Sequence, residues 1–230
     1  MNRDPQELES VIGISFSNKT LLTRALTHRS YLNEREGQGL RNNERLEFLG
    51  DAVLELVTTE FLFSRFPEEK EGTLTAYRAA LVNTETLSSV AASLQMDDYL
   101  QMSKGERMDT EKGRMHILAN TFEAVVGAIH LDQGYGVARD FIARNLFHLI
   151  DEIIEKGLFR DPKSYFQEKA QEVEKVTPHY EMVSEQGPDH DKTFTMAVFV
   201  GDQKVAEGTG ISKQKAETEA ARNALEAKGW

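Results

Sequence analysis

The sequence predicts two domains of different class: an all-helical domain over residues 1–155 and an α-β-β-β-α domain over residues 162–230, joined by a linker at 156–161. Three observations carry this reading. Apolar residues recur at three- and four-residue spacing through the first part, as in Leu46, Leu49, Val53, Leu54 and Val57 and again in Leu118, Phe122, Val125, Val126 and Ile129. Beyond Thr177-Pro178 the period shortens to two, with Phe194, Met196, Val198 and Val200 alternating along one face. Between the two patterns, the stretch from Lys156 through Gly157 to Pro162 interrupts any continuous helix.

Taken in order, the helical pattern predicts helices near 5–11, 18–27, 43–65, 73–94, 116–131 and 134–155. Breaks fall at Gly37, Gly39, Pro67, Gly72, Gly105, Gly113 and Gly134, and the polar segment 101–115 reads as a loop. In the second domain a helix over 162–175 precedes strands at 179–186, 192–200 and 203–209. A last helix opens at Ser212, a favourable N-cap, and carries Ala216, Ala220 and Ala224 on one stripe, small enough to lie close to a sheet. Both helices are expected on one sheet face.

Composition bounds the function classes. With 40% hydrophobic and 28% charged residues, 230 residues can build two ordinary cores. No apolar run approaches the roughly 18 residues of a membrane span. The N-terminal MNRDPQELES lacks the apolar stretch of a secretory signal. The absence of cysteine excludes disulfides and thiolate metal sites and fits the cytoplasm. A net charge of −11 argues by itself against a nucleic-acid partner, but the acidity is uneven. Residues 1–155 hold 25 acidic against 16 basic residues, and residues 156–230 hold 13 against 11. RNA binding would therefore depend on local basic clusters, while surplus carboxylates suit a divalent cation.

In NNERLEFLGDAVLE (42–55), Glu44, Glu47 and Asp51 stand at i, i+3 and i+7 along one side of a helix, beside the apolar Leu46, Leu49 and Val53. A solvated acidic stripe, with Glu44 stabilised by the helix macrodipole, is a sufficient explanation of these three alone. Glu123 is more informative. It sits among Phe122, Ala124, Val125, Val126, Ala128 and Ile129, on a helix apolar nearly all round and hence buried. A buried carboxylate needs a cation, a basic partner or a raised pKa, so a metal site competes with pairing to an arginine such as Arg78. Asn120 lies one turn earlier on the same side. Acids offered by two helices would make an oxygen-only site suited to Mg²⁺ or Mn²⁺. His28, His116 and His130 are not spaced as a ligand pair, and neither a Ser/His/Asp nor a Cys/His arrangement nor a phosphate-binding glycine loop stands out.

NERLEFLGDAVL at 43–54 closely resembles the signature of the bacterial ribonuclease III family. Further matches follow in order: ALTHRSY at 25–31, RFPEEKEG at 65–72, RAALVN at 78–83 and ANTFEAVVGAIHLDQG at 119–134. The C-terminal part is similar to the family's double-stranded-RNA-binding domain, so the resemblance covers essentially the whole chain. It implies a magnesium-dependent endonuclease that cuts double-stranded RNA with an activated water, without a protein nucleophile, leaving 5′-phosphate and 3′-hydroxyl ends, and that processes ribosomal and messenger RNA. By the same resemblance Glu47, Asp51 and Glu123 are metal-binding acids, Asp51 and Glu123 belong to the catalytic set, and Glu44 and Glu71 are further acids near the scissile bond. Family members are homodimers, which places one acidic site near each strand of the duplex. Phe48 matches an aromatic at that dimer interface; core packing is its alternative.

The chain departs from the family pattern at one metal position, where Asn120 replaces an aspartate. An amide oxygen still reaches a cation but brings no charge. The expectation is impaired cleavage with RNA binding retained, and the alternative to an enzyme is a non-cleaving protein that binds double-stranded RNA.

An RNA duplex is read through its minor grooves and phosphates. Ser164, Gln167, Glu168 and Gln171 fall on one helix face and can exchange hydrogen bonds with 2′-hydroxyls. By resemblance, His190 in the loop after Gly187 enters a minor groove. Lys213 and Lys215 sit in the first turn after Ser212, where cations oppose the helix dipole at about 0.3–1 kcal/mol unless an anion binds. Chance surface lysines are the alternative.

Overall fold

The computed structural model describes residues 3–33, 41–103, 105, 110–188 and 192–230. They form two compact units whose boundary falls between Phe159 and Arg160. None of the described helices is long and apolar enough to cross a membrane.

The first unit is built from helices α1 (Leu8–Ile12), α2 (Lys19–Ala25), α3 (Arg29–Asn33), α4 (Glu44–Arg65), α5 (Glu71–Leu81), α6 (Thr84–Ser93), α7 (Met96–Tyr99), α8 (Glu111–Gln133), α9 (Tyr135–Leu146) and α10 (Ile150–Glu155). Helix α8 is the centre of the unit, because a helix apolar on every side must be surrounded. Its Phe122, Val125, Val126 and Ile129 are buried against Leu54 and Val57 of α4, Leu22 of α2, Leu87 of α6 and Phe141 of α9. A smaller core joins the far end of α4 to α5 and α10 through Leu62, Tyr77, Leu81, Ile150 and Ile153, and the Phe159 ring meets Tyr77 edge-on at 4.7 Å.

Helices α4 and α8 cross at two glycines. A Cβ at Gly50 would overlap the Glu123 carbonyl and come within 2.9 Å of the Gly127 nitrogen, while one at Gly127 would overlap the Leu46 carbonyl. Only residues without side chains permit this approach, and it sets the distance between the acids of the two helices.

Several elements differ from the sequence reading. The helix expected over 73–94 is two helices. Asn83 ends one and starts the next, because its carboxamide donates to the Ala80 carbonyl and accepts from the Thr86 N–H. Helix α8 begins at Glu111, within the segment expected to be a loop, since Thr110 caps it by accepting from the Gly113 N–H. The helix expected over 134–155 passes through a 3₁₀ turn at Phe147–Leu149. The short α3 and α7 have no counterpart in the periodicity, because a single turn is too brief to express one.

The second unit follows the expected order: α11 (Pro162–Val173), β1 (His179–Gln186), β2 (Thr193–Val200), β3 (Gln203–Gly210) and α12 (Lys213–Lys228). The antiparallel sheet runs β1-β2-β3, with Tyr180, Val198 and Ala206 in register. Both helices cover one face, sharing a core of Phe166, Ala170, Val198, Val200, Ala220, Ala221 and Ala224. The alanine stripe of α12 lies directly on Gly208 and Gly210, where any Cβ would meet the α12 backbone.

Candidate active site

Helix α4 is entered through a tightly tied segment. The Arg24 Nε donates to the Asn42 carbonyl at 2.9 Å, and the Asn43 N–H donates to the Thr27 carbonyl at 3.0 Å. The buried Asn43 carbonyl then accepts from the Leu46 and Glu47 N–H groups. This orients the first turns of α4, from which Glu44, Glu47 and Asp51 project. Glu44 is exposed, accepts from the Asn42 side chain at 2.8 Å and lies 3.7 Å from Arg29. Glu47 is half-buried, facing α8.

Opposite them, Glu123 occupies the same α8 turn as the glycine crossing. Burial pushes its carboxyl up to about 7, and Asp51 and Glu47 push it in the same direction. Burial also raises Glu47, with Glu44 and Asp51 adding to it, whereas the Asn120 carboxamide lowers it. Asp51 is raised by burial and then by Glu55. The arginine partner considered for Glu123 is absent: Arg78 donates instead to the Thr59 hydroxyl at 3.0 Å. Among the described residues no basic side chain pairs with Glu47, Asp51 or Glu123. The structure therefore brings Glu47, Asp51, Asn120 and Glu123 into one electrostatic unit.

A polar cavity of about 370 Å³ opens beside this unit, lined by His28, Arg29, Asn43, Glu44, Glu47, His116 and Asn120. His28 and His116 had no assigned place in the sequence reading. Their signal was the ALTHRSY match, which carries His28, but a lone histidine gives no direction by itself. Glu71 is not brought to this cavity within one chain. It opens α5, accepts from the Thr75 hydroxyl at 3.1 Å and lines a separate cavity with Leu62, Phe63, Leu74 and Arg78.

The donor set is all oxygen, with surplus negative charge, which suits a hard divalent cation. Among the described residues no three Asp, Glu or His side chains close around a common point as a finished cage. A cation that keeps several waters and uses one or two carboxylates, as Mg²⁺ does, fits this arrangement better than one needing a full protein shell.

Phe48 does not pack into the core. It is 81% exposed, on a stripe of α4 shared with Leu56 at 51% and Phe63 at 73%. In the second unit Ser164, Gln167, Glu168 and Gln171 lie exposed on the α11 face opposite Phe166 and Ala170. Gln171 donates to the Thr177 hydroxyl at 3.1 Å, and Ser164 donates to Asp161 at 2.8 Å. Lys213 and Lys215 are exposed in the first turn of α12, whose N-cap is Ser212 as expected. His190 lies outside the described residues.

Residues 18–150 match the ribonuclease-III-like family model, and residues 162–228 match the double-stranded RNA binding motif. The chain belongs to the ribonuclease III family. Membership of this family of endoribonucleases extends over nearly the full length. The chain is 44% identical to Ribonuclease 3 of Bdellovibrio bacteriovorus over 97% of this chain and 95% of that protein. It is 47% identical to Ribonuclease 3 of Chloroflexus aggregans over 95% of each. The nuclease domain of the Campylobacter jejuni ribonuclease III, described for flexibility in a region involved in dimer formation, superposes with a TM-score of 0.55 at 41% identity, covering 62% of this chain and 98% of that one. Within the ribonuclease III family frame, the Glu47–Asp51–Asn120–Glu123 unit falls in the nuclease domain and the α11 and α12 faces fall in the RNA-binding domain.

Proposed function

We propose that the chain is a homodimeric, Mg²⁺-dependent endonuclease (with Mn²⁺ able to substitute) that hydrolyses double-stranded RNA to 5′-phosphate and 3′-hydroxyl ends, acting on ribosomal and messenger RNA precursors in the cytoplasm. The observation that carries this reading is Glu123: a carboxyl on a buried helix, without a basic partner among the described residues, facing two further carboxylates across the α4–α8 crossing. Glu47, Asp51 and Glu123 would hold the cation between them, directly or through its retained waters, with Asn120 as a neutral oxygen donor. When bound, the cation supplies water activation and neutralises charge at the reacting phosphate. Ionised Glu123, which burial and the neighbouring Asp51 and Glu47 disfavour, would be stabilised beside such a cation. Glu44, held by Asn42 and facing Arg29, lies at the rim, where it would orient the RNA backbone. Glu71 would act from its separate cavity. Residues 1–155 would carry the chemistry, 156–161 would link, and 162–230 would grip the duplex through Ser164, Gln167, Glu168, Gln171, His190, Lys213 and Lys215. Phe48 and its apolar neighbours on α4 would seat the second copy.

Asn120 favours a second reading, in which the chain binds duplex RNA but cuts slowly or not at all. One experiment separates the two. A labelled duplex is incubated with the chain and with its Asn120→Asp variant in Mg²⁺, and product ends are analysed. Cleavage to 5′-phosphorylated fragments supports the nuclease reading. Tight binding without cleavage by either form would assign a binding protein.

A further inference from the structure

In the second unit two ion pairs join helices that are far apart in sequence. Lys163, in the first turn of α11, meets Glu217 of α12 at 2.5 Å, and Lys228, at the end of α12, meets Glu174, which caps the end of α11, at 2.6 Å. The partners are 54 residues apart in both pairs. Among the described residues, the other ion pairs of this unit stay within one helix, one strand or one hairpin. Along each helix the two members stand eleven residues apart, close to three full turns, so they face the same way. Each lysine also lies over an aromatic ring, Lys163 at 4.9 Å from the centroid of Tyr180 and Lys228 at 5.5 Å from that of Trp230. The two pairs are buried to a similar degree. Helices α11 and α12 are thus tied at both ends by matched contacts.

The two ends differ in what lies next to them. Lys163 directly precedes Ser164, and Glu217 stands one turn after the exposed Lys213, yet its carboxylate turns to Lys163. Burial, followed by Glu217 and Asp161, pushes the Tyr180 hydroxyl up to about 12, so the carboxylate that caps α11 and the one on α12 both approach the same ring of β1. A duplex is gripped when the α11 face and the α12 N-terminus reach it together, because such a domain touches two successive minor grooves and the phosphates between them. The offset between the two elements then governs affinity, as spacing does for any pair of linked sites.

We propose that Lys163 and Glu217 are positioning residues for duplex RNA: their ion pair fixes where Lys213 and Lys215 stand relative to the α11 face, whereas Lys228–Glu174 stabilises the fold alone. This rests on the duplex-RNA reading above. Binding of a labelled duplex by the full chain is measured in EDTA across a salt series, alongside thermal unfolding, for the wild type, Glu217→Gln, Lys163→Met, the double variant and Glu174→Gln. Glu217→Gln removes a negative charge beside Lys213, so electrostatics alone would tighten binding. The positioning role reverses that sign. Glu217→Gln and Lys163→Met are each expected to bind roughly five-fold more weakly, with the slope of log K against log salt unchanged, since neither group touches phosphate. The double variant is expected to bind no more weakly than either single one, because the two side chains act as a unit. Glu174→Gln is expected to lower Tm about as much as Glu217→Gln while leaving affinity intact. A Glu217→Gln chain that binds as tightly as the wild type, or more tightly, overturns the proposal. A salt slope shallower by about one in Lys163→Met also overturns it, by making Lys163 a phosphate contact. So do additive losses in the double variant, and so does an equal loss of affinity in Glu174→Gln, which would make fold stability the cause. A wild type that binds no duplex overturns the duplex-RNA reading itself.

Discussion

Gly50 and Gly127 meet backbone to backbone, and each of Glu47, Asp51 and Glu123 lies within about one helical turn of that contact. The glycines act as the spacer of the acidic site. A Gly50→Ala change must drive α4 off the Glu123 carbonyl, at a cost of about 3 kcal/mol or more. Thermal unfolding is expected to show a large drop in Tm. In any fraction that stays folded, cleavage should fall further than duplex binding. An unaltered Tm would contradict this packing.

Glu123 ties stability to pH in the metal-free protein. Its folded pKa of about 7 lies above the ordinary 4.5, so the folded state holds a proton that the unfolded chain releases. The sign follows for this group: its contribution to stability is fully present below about pH 4.5, is lost as pH rises, and levels off above about 7, whereas Glu9 and Asp132, held below their ordinary values, contribute in the opposite sense at low pH. The full loss is at most about 3 kcal/mol, reduced by solvent access to the site. Urea unfolding in EDTA at pH 5 and pH 8 should reveal it. Glu123→Gln is expected to flatten this dependence, to stabilise the metal-free protein at pH 8 and to abolish cleavage. A variant less stable than the wild type at pH 8 would refute the assignment.

Asn120→Asp adds a charged oxygen beside Glu47. The variant is expected to need less Mg²⁺ and to cleave roughly ten-fold faster or more. Without metal it should be less stable, because a further carboxylate joins three that already repel. Equal cleavage rates of the two forms across a Mg²⁺ titration would show that an amide suffices at this position.

Phe48 is exposed within one chain, so Phe48→Glu should leave the fold of the single chain intact. Light scattering coupled to size exclusion is expected to report a monomer in place of a dimer, with an unchanged circular dichroism spectrum. Persistence of the dimer would move the interface elsewhere.

Lys213→Ala/Lys215→Ala removes two exposed charges at the α12 N-terminus. Duplex affinity is expected to fall, with a salt slope shallower by about one to two. Stability should hold or rise slightly, since cations there oppose the helix dipole. Filter binding at several salt concentrations, alongside a melting curve, checks both.

Much of this protein was legible before its structure. Period and punctuation placed the helices around Leu46–Val57 and Leu118–Ile129 and all three strands. The oddity of a carboxylate at position 123 in an apolar run pointed to the chemistry. These features are local, since the 3.6- and 2-residue repeats are properties of neighbouring residues. Other features belong to residues far apart in the chain. Nothing near position 83 announced that Asn83 would close one helix and open the next, because that depends on where its carboxamide finds partners. Whether Glu123 met Arg78 or the acids of α4 was open, and so was whether Phe48 was core or surface. Tertiary packing decided these: the Gly50–Gly127 contact brought α8 against the acidic side of α4, Phe48 stayed exposed, and Glu71 lined a different cavity. The amino-acid order determines which groups are available and on which face of an element they stand. Only the close approach of two backbones determines which charges must share a space.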